Sequence, residues 1–140
     1  MKKIKTFADA WKALKIKATA LPVVSALPEI HQKAVIAFYK LVIIAQALNE
    51  GWEPNWSNWD EWKYYPWFKI QADEQNSSGR GLSFFACYYD FSRTAVGSRL
   101  CYKTSDLAKY AGKQFEDLYK DFMLIPKNVK VQAKAKKTKK

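Results

Sequence analysis

Apolar positions along the chain change period twice, which divides it into helices, then strands, then helix again. Phe7, Ala10, Trp11 and Leu14 recur at helical spacing, and Thr6 with Asp9 forms a start signal, so a short amphipathic helix is predicted over 6–17. Residues 18–27 contain Pro22 and read as a connector. Pro28 suits the first position of a second helix, Glu29 its first turn, and Gly51 its left-handed stop near Asn49. Ile30, Val35, Phe38, Leu41, Val42, Ile44, Ala45 and Leu48 cover more than one face of that helix. Such a helix is buried on several sides, with Leu41 and Ile44 in the core, or makes an oligomer interface.

The period then shortens. Residues 51–63, GWEPNWSNWDEWK, are rich in turn formers and read as a compact loop or a short helical turn. Strands are predicted over 64–71, 82–91 and 96–102. The first holds Pro66, which suits an edge, and an exposed loop follows at 73–81. The short connector 92–95 makes the second and third strands a hairpin. Thr104 or Ser105 caps a last helix, whose apolar stripe runs from Leu107 to Phe122 and which ends before Pro126. Strands segregated from helices give an α+β fold: one domain over 1–125 with N-terminal helices, a three-stranded antiparallel sheet, a C-terminal helix and a flexible basic tail over 126–140.

Charge changes this picture most. The net charge is +11, from 24 basic and 13 acidic residues. Lys2, Lys3, Lys5, Lys127, Lys130, Lys134, Lys136, Lys137, Lys139 and Lys140 supply nearly all of it; the rest of the chain holds 14 basic and 13 acidic residues. Lysine runs attract polyanions without selectivity, through counterion release and long-range attraction. Lys130, Lys134, Lys136, Lys137, Lys139 and Lys140 are therefore expected to contact nucleic acid. Specificity must come from the aromatic body. Aromatic residues make up 16% of the chain, too many for complete burial, so some are expected to line a groove or an interface.

Catalytic chemistry finds little support. His31 is the single histidine, Cys87 and Cys101 do not make a metal-ligand pattern with it, and no phosphate loop, dinucleotide-binding glycine pattern or nucleophile elbow is present. The chain reads as a non-enzyme with no cofactor and no metal. Cys87 and Cys101 fall on the two strands of the predicted hairpin and read as small apolar residues. Two cysteines, no secretory signal and no apolar run long enough to span a bilayer indicate a cytoplasmic protein with reduced thiols.

Recognition chemistry is better represented. Trp52, Trp56 and Trp59 stand beside turn formers, but Glu50, Glu53, Asp60 and Glu61 make that stretch acidic and unsuited to phosphate. Arg93, Arg99 and Lys103 lie in an acid-free stretch from Phe91 to Ser105. These six residues are the candidate partner-binding set, with the two arginines flanking the hairpin turn. Internal pairing of the arginines with Asp60, Glu61 or Asp90 is the competing reading.

Three segments, LNEGWEPNW, EWKYYPWF and VGSRLCYKTSDLAKYAGKQFEDLYKDF, resemble a group of small proteins of Bacteroidetes phages and mobile elements, over about residues 47–122. The resemblance implies a mobile-element origin, a bacterial host cytoplasm and no active site to carry over. It leads to the expectation of a binding protein that engages RNA, DNA or a host nucleoprotein complex, in its sharpest form an anti-CRISPR-type inhibitor of a defence nuclease. The alternative is a phage structural or packaged protein.

Overall fold

The computed structural model describes residues 4–16, 21–75 and 79–126. Lys2, Lys3, the last residue of the predicted first helix and the whole lysine-rich tail over 127–140 lie outside the described residues. The fold is α+β. Its elements in chain order are α1 (Phe7–Ala13), α2 (Glu29–Asn49), β1 (Lys63–Ala72), β2 (Arg80–Asp90), α3 (Ser105–Gln114) and α4 (Glu116–Met123).

The helix ends follow local chemistry. The Asp9 N–H donates to the Thr6 hydroxyl at 3.1 Å while the Thr6 N–H donates to the Asp9 carboxylate at 2.9 Å, a reciprocal cap that starts α1. α1 is shorter than expected because Lys15 takes a left-handed conformation, φ 55°. α2 ends at Asn49 as expected, but its left-handed stop begins one residue before the expected glycine: Glu50 is left-handed at φ 50°, with Gly51 following at φ 84°. The single C-terminal helix read from the sequence is two. Phe115, at φ −115° and ψ 27°, breaks it, and its buried ring contacts Tyr110 edge-on.

The sheet has two strands, not three. β1 and β2 pair antiparallel from Lys63 opposite Asp90 to Ala72 opposite Arg80, so the hairpin joins the first and second predicted strands. The predicted third strand, 96–102, contributes one bridge, Tyr102 to Tyr64. Its start is a turn instead. The Thr94 hydroxyl accepts the N–H groups of Val96 and Gly97, and Gly97 sits at φ 69°, which a side-chain-bearing residue resists. Arg93 and Arg99 therefore flank no hairpin turn.

One face of the ribbon packs on α3 and α4. Phe68 lies over Tyr119 with ring centroids 4.7 Å apart, and Gly112 lets α3 come against Pro66 and Phe84. On the other side of these helices lies α2, with Leu41 and Ile44 fully buried. Tyr102 and Tyr119 pair hydroxyl to hydroxyl at 3.0 Å in the core, and burial pushes both phenols well above their ordinary range. Asn49 ties the end of α2 to the segment before α3: its amide donates to the Cys101 carbonyl at 2.9 Å and its carbonyl accepts the Lys103 N–H at 3.0 Å. Both cysteines are free, Cys101 buried and Cys87 half-buried. Burial pushes the Cys101 thiol up to about 11, as expected of a packing residue. Among the described residues no helix is long and apolar enough to cross a membrane, and no cluster of metal-ligating side chains occurs.

Candidate partner-binding site

The tryptophan loop between α2 and β1 is organised by one buried cation. Lys63 is 1% exposed, and its ammonium donates to the carbonyls of Asn55 at 2.6 Å, Asn58 at 3.1 Å and Glu61 at 2.7 Å. The Glu61 carboxylate lies 3.3 Å away and also accepts the Asn55 N–H at 2.7 Å. Burial raises the Glu61 carboxyl, but the Asn55 N–H and Lys63 outweigh it and hold the group below its ordinary value. The Trp56 ring covers the same ammonium at 5.5 Å. Thus one of the four acids of this stretch, Glu61, is internal wiring, while Glu50, Glu53 and Asp60 remain exposed.

That wiring presses the loop against the acid-free segment after β2. The Trp56 indole N–H donates to the Ser98 hydroxyl at 2.7 Å, and the Ser92 hydroxyl donates to the Trp56 carbonyl at 2.8 Å. Between them and α2 opens a cleft of about 740 Å³. α2 contributes Phe38, Val42, Gln46 and Asn49; the loop contributes Trp52, Glu53 and Pro54; the turn at 96–99 closes it with Arg99. Phe122 of α4 supports Phe38, ring centroids 5.4 Å apart.

The six sequence-derived candidates separate into three groups. Trp52 and Arg99 meet in the cleft. Trp56 stands behind it as scaffold. Trp59, Arg93 and Lys103 are exposed but do not line it. Arg93 pairs internally, its Nε 3.3 Å from Asp90, so the competing reading holds for this arginine. Arg99 makes no ion pair among the described residues, although Glu53 lines the same cleft. Phe38 and Val42 were absent from the sequence-derived set because they belong to the core-helix pattern. Their signal was the breadth of that pattern, which exceeds what one packed face requires.

A cleft of mixed polar and apolar lining with one available guanidinium suits a ligand that combines a carboxylate or phosphate with a ring or aliphatic group. Comparison with protein-family models, with curated proteins and with solved structures finds no match to this chain.

Proposed function

We propose that this is a non-enzymatic binding protein that engages nucleic acid or a nucleoprotein complex, with the lysine-rich ends supplying attraction and the cleft edge supplying selectivity. The observation that carries the reading is the segregation of charge. Ten lysines outside residues 6–126 hold a surplus of +10, while the rest of the chain is nearly neutral and Arg99 has no carboxylate partner among the described residues. In its sharpest form the partner is an RNA-guided nuclease of a bacterial host and the protein a mobile-element inhibitor, a reading supported by the three resembling segments. A packaged or structural phage protein is the second reading. It is favoured by the apolar residues left open on and before α2, among them Val23 at 90% exposure and Phe38 at 36%.

Arg99→Ala tests the leading reading. The variant is expected to weaken partner binding by about 1–3 kcal/mol while its Tm stays within error of the parent's, because the side chain holds no internal ion pair. Unchanged affinity for nucleic acid and for the nucleoprotein fraction removes the cleft edge from the interface. A concentration-dependent oligomer in size-exclusion chromatography, lost on Phe38→Ser, supports the structural reading.

A further inference from the structure

The ribbon face turned away from α3 and α4 carries an aromatic surface that neither the core nor the cleft uses. Cross-strand partners share a face and residues two apart along a strand return to it. Lys63, Tyr65, Trp67 and Lys69 of β1 thus stand with Asp90, Tyr88, Ala86 and Ser83 of β2. The register slips between Trp67 and Phe68, leaving Phe85 without a partner in β2. A bulge re-aims its extra residue, and Phe84, the residue before it, packs toward α3 against Gly112. Phe85 is accordingly 67% exposed, beside Trp67 at 46% and Tyr88 at 52%. The Trp67 and Tyr88 ring centroids lie 5.3 Å apart, and both rings pack against the buried Tyr65 at 6.3 and 5.7 Å. The platform rests on a filled layer and is held in shape by it.

Charge says what fits on it. Exposed Lys69 stands at one end, and Arg93, whose side chain is 84% exposed, stands at the other beside Asp90. Two carboxylates border this face: Asp90, engaged by the Arg93 guanidinium and the Phe91 N–H, and Asp73 just past β1, which lies against Gly81 and accepts the Gln75 N–H. Alternate residues of a strand lie about 6.6 Å apart, so the cations bracket the rings over a span of several nucleotides. Flat rings accept bases of any sequence, and flanking cations accept backbone phosphates.

We infer that this face of the β1–β2 ribbon binds single-stranded nucleic acid, with bases stacked on Trp67, Phe85 and Tyr88 and phosphates at Lys69 and Arg93. The inference rests on the nucleic-acid reading above and deepens it, naming an unpaired strand as the ligand.

The test uses the full chain, a fluorescein-labelled oligothymidine or oligouridine, and a labelled duplex of the same length, read by anisotropy at a salt concentration that suppresses the lysine tail. Phe85→Ala and Trp67→Ala are each expected to lower single-strand affinity about tenfold, the equivalent of one lost base stack. Trp67→Phe should retain most of it, and duplex affinity should not move. Crosslinking with a 5-bromouracil oligonucleotide should label peptides of β1 and β2. Phe85 is largely exposed, so its variant keeps the parent Tm and remains informative even if Trp67→Ala unfolds. Equal single-strand affinity in Phe85→Ala and the parent overturns the platform while leaving tail-driven binding intact. No binding of either oligonucleotide at low salt overturns the nucleic-acid reading itself. A parent dimer that Phe85→Ala dissociates assigns the face to a second copy of the chain and also overturns the proposal.

Discussion

Lys63 shows how a single residue can decide the character of a whole loop. Its position at the start of a strand looks unremarkable, yet its ammonium gathers three carbonyls and one carboxylate of residues 55–61. Lys63→Met keeps the stem and removes the cation, leaving three carbonyls to find other partners at a cost of about 1–3 kcal/mol each where water cannot reach them. A net loss of about 3 kcal/mol in urea unfolding is expected; a loss below about 1 kcal/mol means that water replaces the ammonium. Glu61 in the same cluster adds a pH dependence. Its folded carboxyl is depressed, so its contribution is complete above the ordinary value of 4.5 and is lost as pH falls through the lower folded value. The stability gap between the parent and Glu61→Gln should therefore be constant at neutral pH and close under acid conditions. A gap that does not change with pH would assign it to hydrogen-bond geometry instead of charge.

At the scale of elements, the question is how a two-stranded ribbon is kept in place, since such a hairpin is marginal alone. Here α3 holds it through a close approach. A Cβ at Gly112 would meet the Phe84 ring at 2.5 Å and Pro66 at 2.7 Å. In an exposed helix Gly→Ala stabilises by about 1 kcal/mol, but at this contact overpacking of about 1–3 kcal/mol wins. Gly112→Ala should lower the Tm, and a rise would show that the ribbon can retreat from α3 without loss. The side chain of Glu116, at the start of α4, also accepts the Phe84 N–H at 2.7 Å, beside the bulge that exposes Phe85. Helix packing on one face thus coincides with the aromatic display on the other.

For the whole molecule, the division of labour between charged ends and neutral body makes a quantitative expectation. The last fourteen residues hold seven lysines. If all seven reach phosphates, the slope of log affinity against log salt is about −5 to −6 as an upper bound. A chain ending at Pro126 should lose most of that slope while keeping any preference for single strands over duplex. Equal low-salt affinity with and without the tail would remove the lysines from the binding account.

The helices were legible in the sequence because their causes are local. The Thr6–Asp9 cap, the apolar period of α2 with Leu41 and Ile44 inside it, and the Thr104 cap are written within a few residues of where they act. The strand character of β1 and β2, the α+β class and the excess charge at the ends were legible on the same terms, but the pairing of β1 with β2 was not. What the sequence could not determine depended on residues far apart in the chain. Segment 96–102 carries strand-like composition, yet the Thr94 turn and the Asn49 staple hold it to one bridge. The last helix carries one continuous stripe, yet it breaks where Phe115 enters the core. Trp52 and Arg99 line one cleft, but Trp56 spends its indole N–H on Ser98, and Arg93 shares its guanidinium with Asp90 while staying largely exposed. Composition counts aromatic rings and charges; only tertiary packing decides which are consumed in building the fold and which are left facing outward.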